Sequence, residues 1–408
     1  MLSWRRCWIA MAAAALLGMA LARHSGAQEQ ESVAATQGPD PALLPNASPL
    51  VSLASIPVPY DPMELVTGNA QLADSAEERA ATIDLLAKAR RLSNVRLHAY
   101  DLKTSFTSYG SSSSDGPWIL EDTSPAAGLY RWTAEGPGFS GVFLTANKLV
   151  SSNQPGGAMP LRLAQVRDAM WGMYYPEIGP HATLRVANGD LNGAGLRCVL
   201  VANGFYGKKE PEFSSGRSFA EAEYCVNPQT GLLETYSPYA GLYIRYDYAN
   251  ALHFHEQIIP DGFTIAERGK TVIEGKTDSV DDAPPANSNL FEPAGLNPLG
   301  VGQVIELPMR VRGIQMASSP DANVAGQVVV VHGMLSPDGH LSEVEVLAST
   351  NPSLEDVAVD HANKAYALRT SVNTQPGVTP RSREIVFTLE FVPRPAPRPR
   401  PLPPGFSQ

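Results

Sequence analysis

The chain has 408 residues, 31 Lys and Arg against 41 Asp and Glu, a formal net charge of -10, and 43% hydrophobic residues. That apolar share is enough to build cores and excludes a disordered chain, and the length suits two domains of ordinary size. The acidic balance excludes nucleic acid and an anionic lipid surface as general partners, which leaves membrane contact only through partners.

The first 27 residues have the order of a secretory signal. Arg5 and Arg6 precede an apolar run from Trp8 to Ala22, and small residues follow at Ser25-Gly26-Ala27. The run is shorter than the roughly 20 residues a spanning helix needs, so cleavage near Ala27 and a periplasmic location are expected. Losing Arg5, Arg6 and Arg23 takes the net charge from -10 to -13. Only Cys198 and Cys225 then remain. In an exported chain such a pair predicts one disulfide, with a metal pair as the rival reading.

Residues 28–73 are rich in Pro, Ala, Ser and Gln without a sustained period and read as a disordered tether. The first firm element is a helix opened by a capping box of Ser75 and Glu78, with Arg90 and Arg91 near its C-terminus. Residues 74–296 read mainly as short strands separated by Asn-Gly, Pro-Asp-Gly and similar turns, interrupted by a helix from Pro160 to Tyr175. Strands at this spacing imply a large curved or barrel-like antiparallel sheet. A polar stretch with Asp281-Asp282 and Pro284-Pro285 marks a boundary. Residues 297–392 then read as strands at Val304–Val311 and Gln327–Met334, a turn at Ser336-Pro337-Asp338-Gly339, and a strand at Leu341–Leu347. A helix with Leu354, Val357, Ala358, Ala362 and Ala365 on one face follows, then a strand at Ile385–Phe391. The tail, 393–408, is rich in Pro and Arg. The fold class is therefore α+β: a curved antiparallel half-barrel with packed helices, then a small β-β-α-β domain.

Residues Gly326-Gln327-Val328-Val329, Ser336-Pro337-Asp338-Gly339-His340-Leu341, Val344 to Thr350, Leu354 to Ala358, Gly377-Val378 and Phe387 to Phe391 together resemble the C-terminal domain of TonB-family proteins. That resemblance implies a non-enzymatic periplasmic adaptor, whose partner is an outer-membrane transporter or another envelope protein. Its mechanism would be strand addition, in which a free sheet edge takes up an extended peptide. The edge expected to carry it is Ile385, Val386, Phe387, Thr388, Leu389, Glu390 and Phe391.

Pro125 to Trp132 and Val142 to Leu149, with the Pro160–Tyr175 helix, resemble the half-barrel of outer-membrane lipoprotein carriers. This implies a concave apolar face that holds a lipid or lipoprotein acyl chain. Trp118, Tyr130, Trp132, Phe143, Trp171 and Tyr174 are the candidate lining, with ordinary core as the competing reading. A hydrolase is the third class, but no nucleophile elbow, zinc-protease motif, phosphate loop or dinucleotide fingerprint is present. No cofactor and no metal site is expected. His253 and His255, two apart on an expected strand, read as a solvated face.

Overall fold

A computed structural model of the chain describes residues 70–110, 114–172, 178–179, 181–202, 217–218, 221–301, 311–319, 326–369 and 382–393. The signal segment, nearly all of the tether and tail, residues 304–310 of the strand expected at Val304–Val311, Tyr174 and the pair Gly377-Val378 lie outside these residues.

The chain enters as a short strand, β1 (Gln71–Leu72), and then helix α1 (Ala76–Ser93). Its capping box forms as the sequence requires: Glu78 N–H donates to the Ser75 hydroxyl and Ser75 N–H to the Glu78 carboxylate. Five strands follow: β2 (Tyr100–Ser108), β3 (Gly116–Ala126), β4 (Leu129–Gly136), β5 (Phe139–Ala146) and β6 (Leu149–Ser152). Helix α2 (Leu161–Gly172) interrupts them. The chain continues as β7 (Thr183–Leu191), β8 (Ala194–Ala202), β9 (Ala222–Val226), β10 (Leu233–Tyr239), β11 (Leu242–Asp247), β12 (Leu252–Phe254), β13 (Gln257–Ile259), β14 (Gly262–Glu267), β15 (Lys270–Asp282) and β16 (Asn297–Val301).

Fourteen of these strands form one open, curved antiparallel sheet in the order β1-β7-β8-β9-β10-β11-β14-β15-β2-β3-β4-β5-β6-β16. The period-2 pattern decides its faces. Leu184 of β7, Val199 and Val201 of β8, and Tyr224 and Val226 of β9 join the main core on the concave side. Their alternates Ala187, Cys198, Leu200 and Cys225 form a separate small core on the convex side. Cys198 and Cys225 stand opposite each other across β8 and β9 and are disulfide-bonded, as their isolation in the sequence predicts.

Leu86, Ala89 and Val95 anchor α1 and its exit to the concave face, and Leu163, Val166, Ala169 and Met170 anchor α2 there. Full burial of Leu163, Val166 and Met170 contributes roughly 1.5–3 kcal/mol each.

The remaining elements are β17 (Val311–Ser319), β18 (Val328–Leu335), β19 (Leu341–Ser349), helix α3 (Glu355–Arg369) and β20 (Arg383–Pro393), with sheet order β17-β20-β18-β19. The expected β-β-α-β succession is present as β18-β19-α3-β20. One face of this sheet, through Val329, Val331, Ile385, Leu389 and Phe391, packs on Ala358 and Ala362 of α3 and on Leu354 just before it. The opposite face contributes Val330, Leu347, Ala348 and Val386 to the main core. Both faces are thus covered, which explains the unbroken apolar run Val328-Val329-Val330-Val331. Helix α2 lies between the large sheet and this small one, with Leu161 and Ala164 against Met334.

One expected strand is two. The stretch Leu252–Ile259 reverses at His255-Glu256 into the hairpin β12–β13, with His255 at φ 52°. His253 and His255 therefore do not share a strand face. His255 instead stacks on His98, with ring centroids 4.1 Å apart, and bonds to Asp282 at 2.9 Å.

Among the described residues no helix is long and apolar enough to cross a membrane.

Candidate functional site

The strand expected to capture a partner is not an edge. β20 pairs in parallel with β17, from Val311↔Ile385 to Ser319↔Pro393, and antiparallel with β18, from Val328↔Glu390 to Leu335↔Arg383. Its backbone groups from Ile385 to Phe391 are used on both sides, so strand addition has no place there. The physical reason is β17: a parallel neighbour distant in sequence occupies the side that local pattern leaves open. The face assignment itself stands for Ile385, Leu389 and Phe391, which pack on α3.

Four of the aromatic residues expected to line a ligand site are packed core. Trp118, Tyr130, Trp132 and Phe143 are all under 5% exposed. Trp132 stacks on Phe143 with centroids 4.0 Å apart, and Trp118 stacks on Phe106 at 5.5 Å. Trp171 lies in the last turn of α2. Helix α2 fills the trough that these side chains would otherwise expose.

Space remains instead at the other end of the concave face. The N-terminal half of α1 stands off β1, β7 and β8, leaving an open cavity of about 410 Å³. Leu72, Ala73, Ala81, Leu85 and Val186 give it an apolar wall, while Glu78, Thr82, Asn188 and Arg197 supply polar groups. Arg197 donates to the Asn188 side chain at 2.9 Å. The mixed lining suits an amphipathic ligand. The sequence reading missed this cavity because it assigned Gln71, Leu72 and Ala73 to the disordered tether, whereas Gln71–Leu72 pairs with β7 and forms part of the wall.

A second constellation lies where α2 meets the small sheet. Arg162, 1% exposed, donates to Glu267 at the end of β14 at 2.7 Å and to both Glu345 oxygens at 3.2 and 3.1 Å. Gln165 also donates to Glu267. His332 of β18 is fully buried; its Nδ1 lies 3.0 Å from Glu384 of β20, which also accepts from the Tyr239 hydroxyl. Its Nε2 faces Glu267 at 3.3 Å and Glu345 at 3.5 Å. Burial alone would lower the proton affinity of His332, but Glu267 and the hydrogen-bonding carboxylates outweigh it and hold it well above the usual histidine range. Burial works to raise Glu267, yet Arg162 and His332 hold it well below the carboxylate range. No sequence motif announces this cluster, since its members come from α2, β14, β18, β19 and β20. The one local signal was a histidine inside the run Val328 to Leu335.

A third buried group sits deeper in the trough. Asp122 of β3, 1% exposed, accepts from the Tyr130 hydroxyl. Arg167 of α2 reaches the same hydroxyl at 3.3 Å while its guanidinium lies 3.9 Å from the Trp132 ring centre. Burial pushes Asp122 up to about 6, against the opposing pull of Arg167, the Tyr130 hydrogen bond and Arg96.

No protein-family model matches the chain, and none of the curated proteins does. Solved structures do. A LolA superfamily protein from Nitrosomonas europaea is 10% identical, with a TM-score of 0.36, over 52% of this chain and 96% of its own. A putative outer membrane lipoprotein-sorting protein domain from Vibrio parahaemolyticus is 8% identical, with a TM-score of 0.32, over 51% of this chain and 95% of its own. A DUF1329 family protein from Desulfovibrio piger is 7% identical, with a TM-score of 0.36, over 53% and 98%. Each spans nearly its whole length on about half of this chain.

Proposed function

We propose that the chain is an exported, non-enzymatic carrier that binds a lipid or the acyl chain of a lipoprotein on the concave face of its half-barrel. The observation that carries this reading is the open cavity of about 410 Å³ between α1 and β1, β7 and β8. Its size falls within the roughly 300–1,000 Å³ of small-molecule sites. Its lining mixes apolar Leu72, Leu85 and Val186 with polar Glu78, Asn188 and Arg197. Each acyl methylene transferred from water into it would contribute about 0.8 kcal/mol. The Cys198–Cys225 disulfide supports a periplasmic location, because such bonds persist in oxidising compartments. The adaptor reading lost its mechanism with the pairing of β20 on both sides.

The test is ligand binding by the purified mature chain. A dansyl-labelled undecanoic acid should gain fluorescence on binding and be displaced by unlabelled phospholipid. Ala81 is exposed and lines the cavity, so Ala81→Trp fills it without touching the core. This variant should bind the probe at least tenfold more weakly with an unchanged melting temperature. A wild-type chain that binds neither probe nor lipid, or a variant that binds as well as wild type, refutes the carrier reading.

A further inference from the structure

We propose that Glu267, His332 and Glu345 form a binding site for one divalent transition-metal cation, with zinc the cation tested first, at the seam between α2 and the small sheet. The site is independent of the lipid cavity and shares no residue with it.

Three observations carry it. The first is spacing. One ligand atom from each residue lies within 4.8 Å of the other two, and His332 Nε2 is 3.3 Å from a Glu267 oxygen and 3.5 Å from a Glu345 oxygen. Nitrogen and oxygen ligands about 2.0–2.1 Å from a tetrahedral zinc stand about 3.3–3.4 Å apart, so these separations match the edges of a coordination tetrahedron. The second is the histidine. His332 is 0% exposed, and its Nε2 lies 3.3 and 3.5 Å from two carboxylate oxygens without a well-aligned hydrogen bond to either. Its Nδ1 is held at 3.0 Å by Glu384. A carboxylate on one ring nitrogen, turning the other toward a metal, is how metal-binding histidines are oriented.

The third is charge. Glu267, Glu345 and Glu384 bring three negative charges to one buried place, and Arg162 returns one positive charge. A further carboxylate, Glu343, accepts from the Leu161 N–H at the start of α2 and also feels the charges of Arg162 and His332. A cation bound between Glu267 and Glu345 adds positive charge where two buried or half-buried carboxylates share one arginine. Arg162 and Gln165 then hold the Glu267 carboxylate in place. One coordination position stays open for water, and the partial exposure of Glu345 gives an ion a way in.

The experiment uses the whole mature chain. Metal content is measured after purification without chelator. The EDTA-stripped protein is then titrated with zinc chloride by calorimetry and with cobalt chloride by visible absorption. The expected result is one zinc per chain, with micromolar or tighter affinity. Cobalt should give the strong visible bands of a four-coordinate ion, and the melting temperature should rise by roughly 3–8 °C at a hundredfold excess over Kd. Glu345→Gln keeps shape and should weaken zinc at least thirtyfold, as should His332→Gln. His255→Ala, at the surface pair with His98, should change nothing. A folded wild-type chain that binds neither ion below about 100 µM overturns the proposal, and leaves the cluster as ion pairs around a protonated His332. Zinc binding abolished by His255→Ala and kept by Glu345→Gln also overturns it.

Discussion

Substituting Asp122 by Asn isolates one buried charge in the packed trough. Asp122 is 1% exposed; its Oδ1 accepts from Tyr130, and its Oδ2 has no hydrogen-bond partner. Burial raises the carboxyl from 3.8 to about 6 in the folded chain. The folded state therefore binds a proton more readily than the unfolded one between about pH 4 and 6. Stability falls as pH rises through that window and stays constant on either side of it. A displacement of about two units at 1.36 kcal/mol per unit amounts to about 3 kcal/mol lost by pH 7. Asn carries no charge at any of these pH values. It places an amide where Oδ2 lacks a partner, at a cost of about 1–3 kcal/mol that does not vary with pH. Urea unfolding of wild type and Asp122→Asn at half-unit intervals from pH 3.5 to 8 gives the test. The variant should be the less stable protein at pH 4. The stability difference should then move in its favour by about 3 kcal/mol by pH 7. Curves that run parallel across the window refute the reasoning, and mean that Arg167 and Arg96 keep Asp122 ionised throughout.

Other perturbations have equally definite outcomes. Gly241 sits at φ +86°, and a Cβ there would lie 1.8 Å from the Leu347 carbonyl oxygen, so Gly241→Ala should destabilise by about 2 kcal/mol or more in urea unfolding, the scale of backbone strain plus overpacking. Reducing the Cys198–Cys225 bond, or replacing both residues by serine, should cost about 3–4 kcal/mol for a separation of 27 residues, read from the shift of the unfolding midpoint. Thr388→Pro removes a ladder donor from a strand paired on both sides, so it should melt the small sheet in hydrogen exchange rather than merely block an edge.

Local pattern carried far in this chain. The capping box of Ser75 and Glu78, the isolated cysteine pair, the turn at 228–231 and the helix after Pro160 each depend on neighbours a few residues apart, and each appears where its residues require; Asn188-Gly189, expected as a turn, instead runs inside β7, and the chain reverses at Asn192-Gly193. What failed depends on partners distant in sequence. Nothing near Ile385 announces that Val311–Ser319 pairs with it. The four consecutive valines of β18 did carry a warning, since a strand that is apolar on both faces belongs to the interior of a fold. Trp118, Tyr130, Trp132 and Phe143 do join the main core, but whether a concave face is open or filled is decided by α2, whose Arg162, Gln165, Arg167 and Asp168 are all buried. Charged residues on a helix look alike in sequence whether water or a buried counter-charge satisfies them. The hairpin at His255-Glu256 was missed because its turn lacks Asn or Gly.

The junction of β15 with β2 also governs how the chain reaches this state. Asp282 pairs with Tyr100 and Ile273 with Ser108, so the middle of the large sheet closes only after most of the polypeptide is present. Until then β2 offers one unpaired edge beside its hairpin with β3. Topologies dominated by such distant pairings fold in milliseconds to seconds. A chain made from its N-terminus thus keeps that edge open, and the order of synthesis leaves it to a strand made much later to seal it.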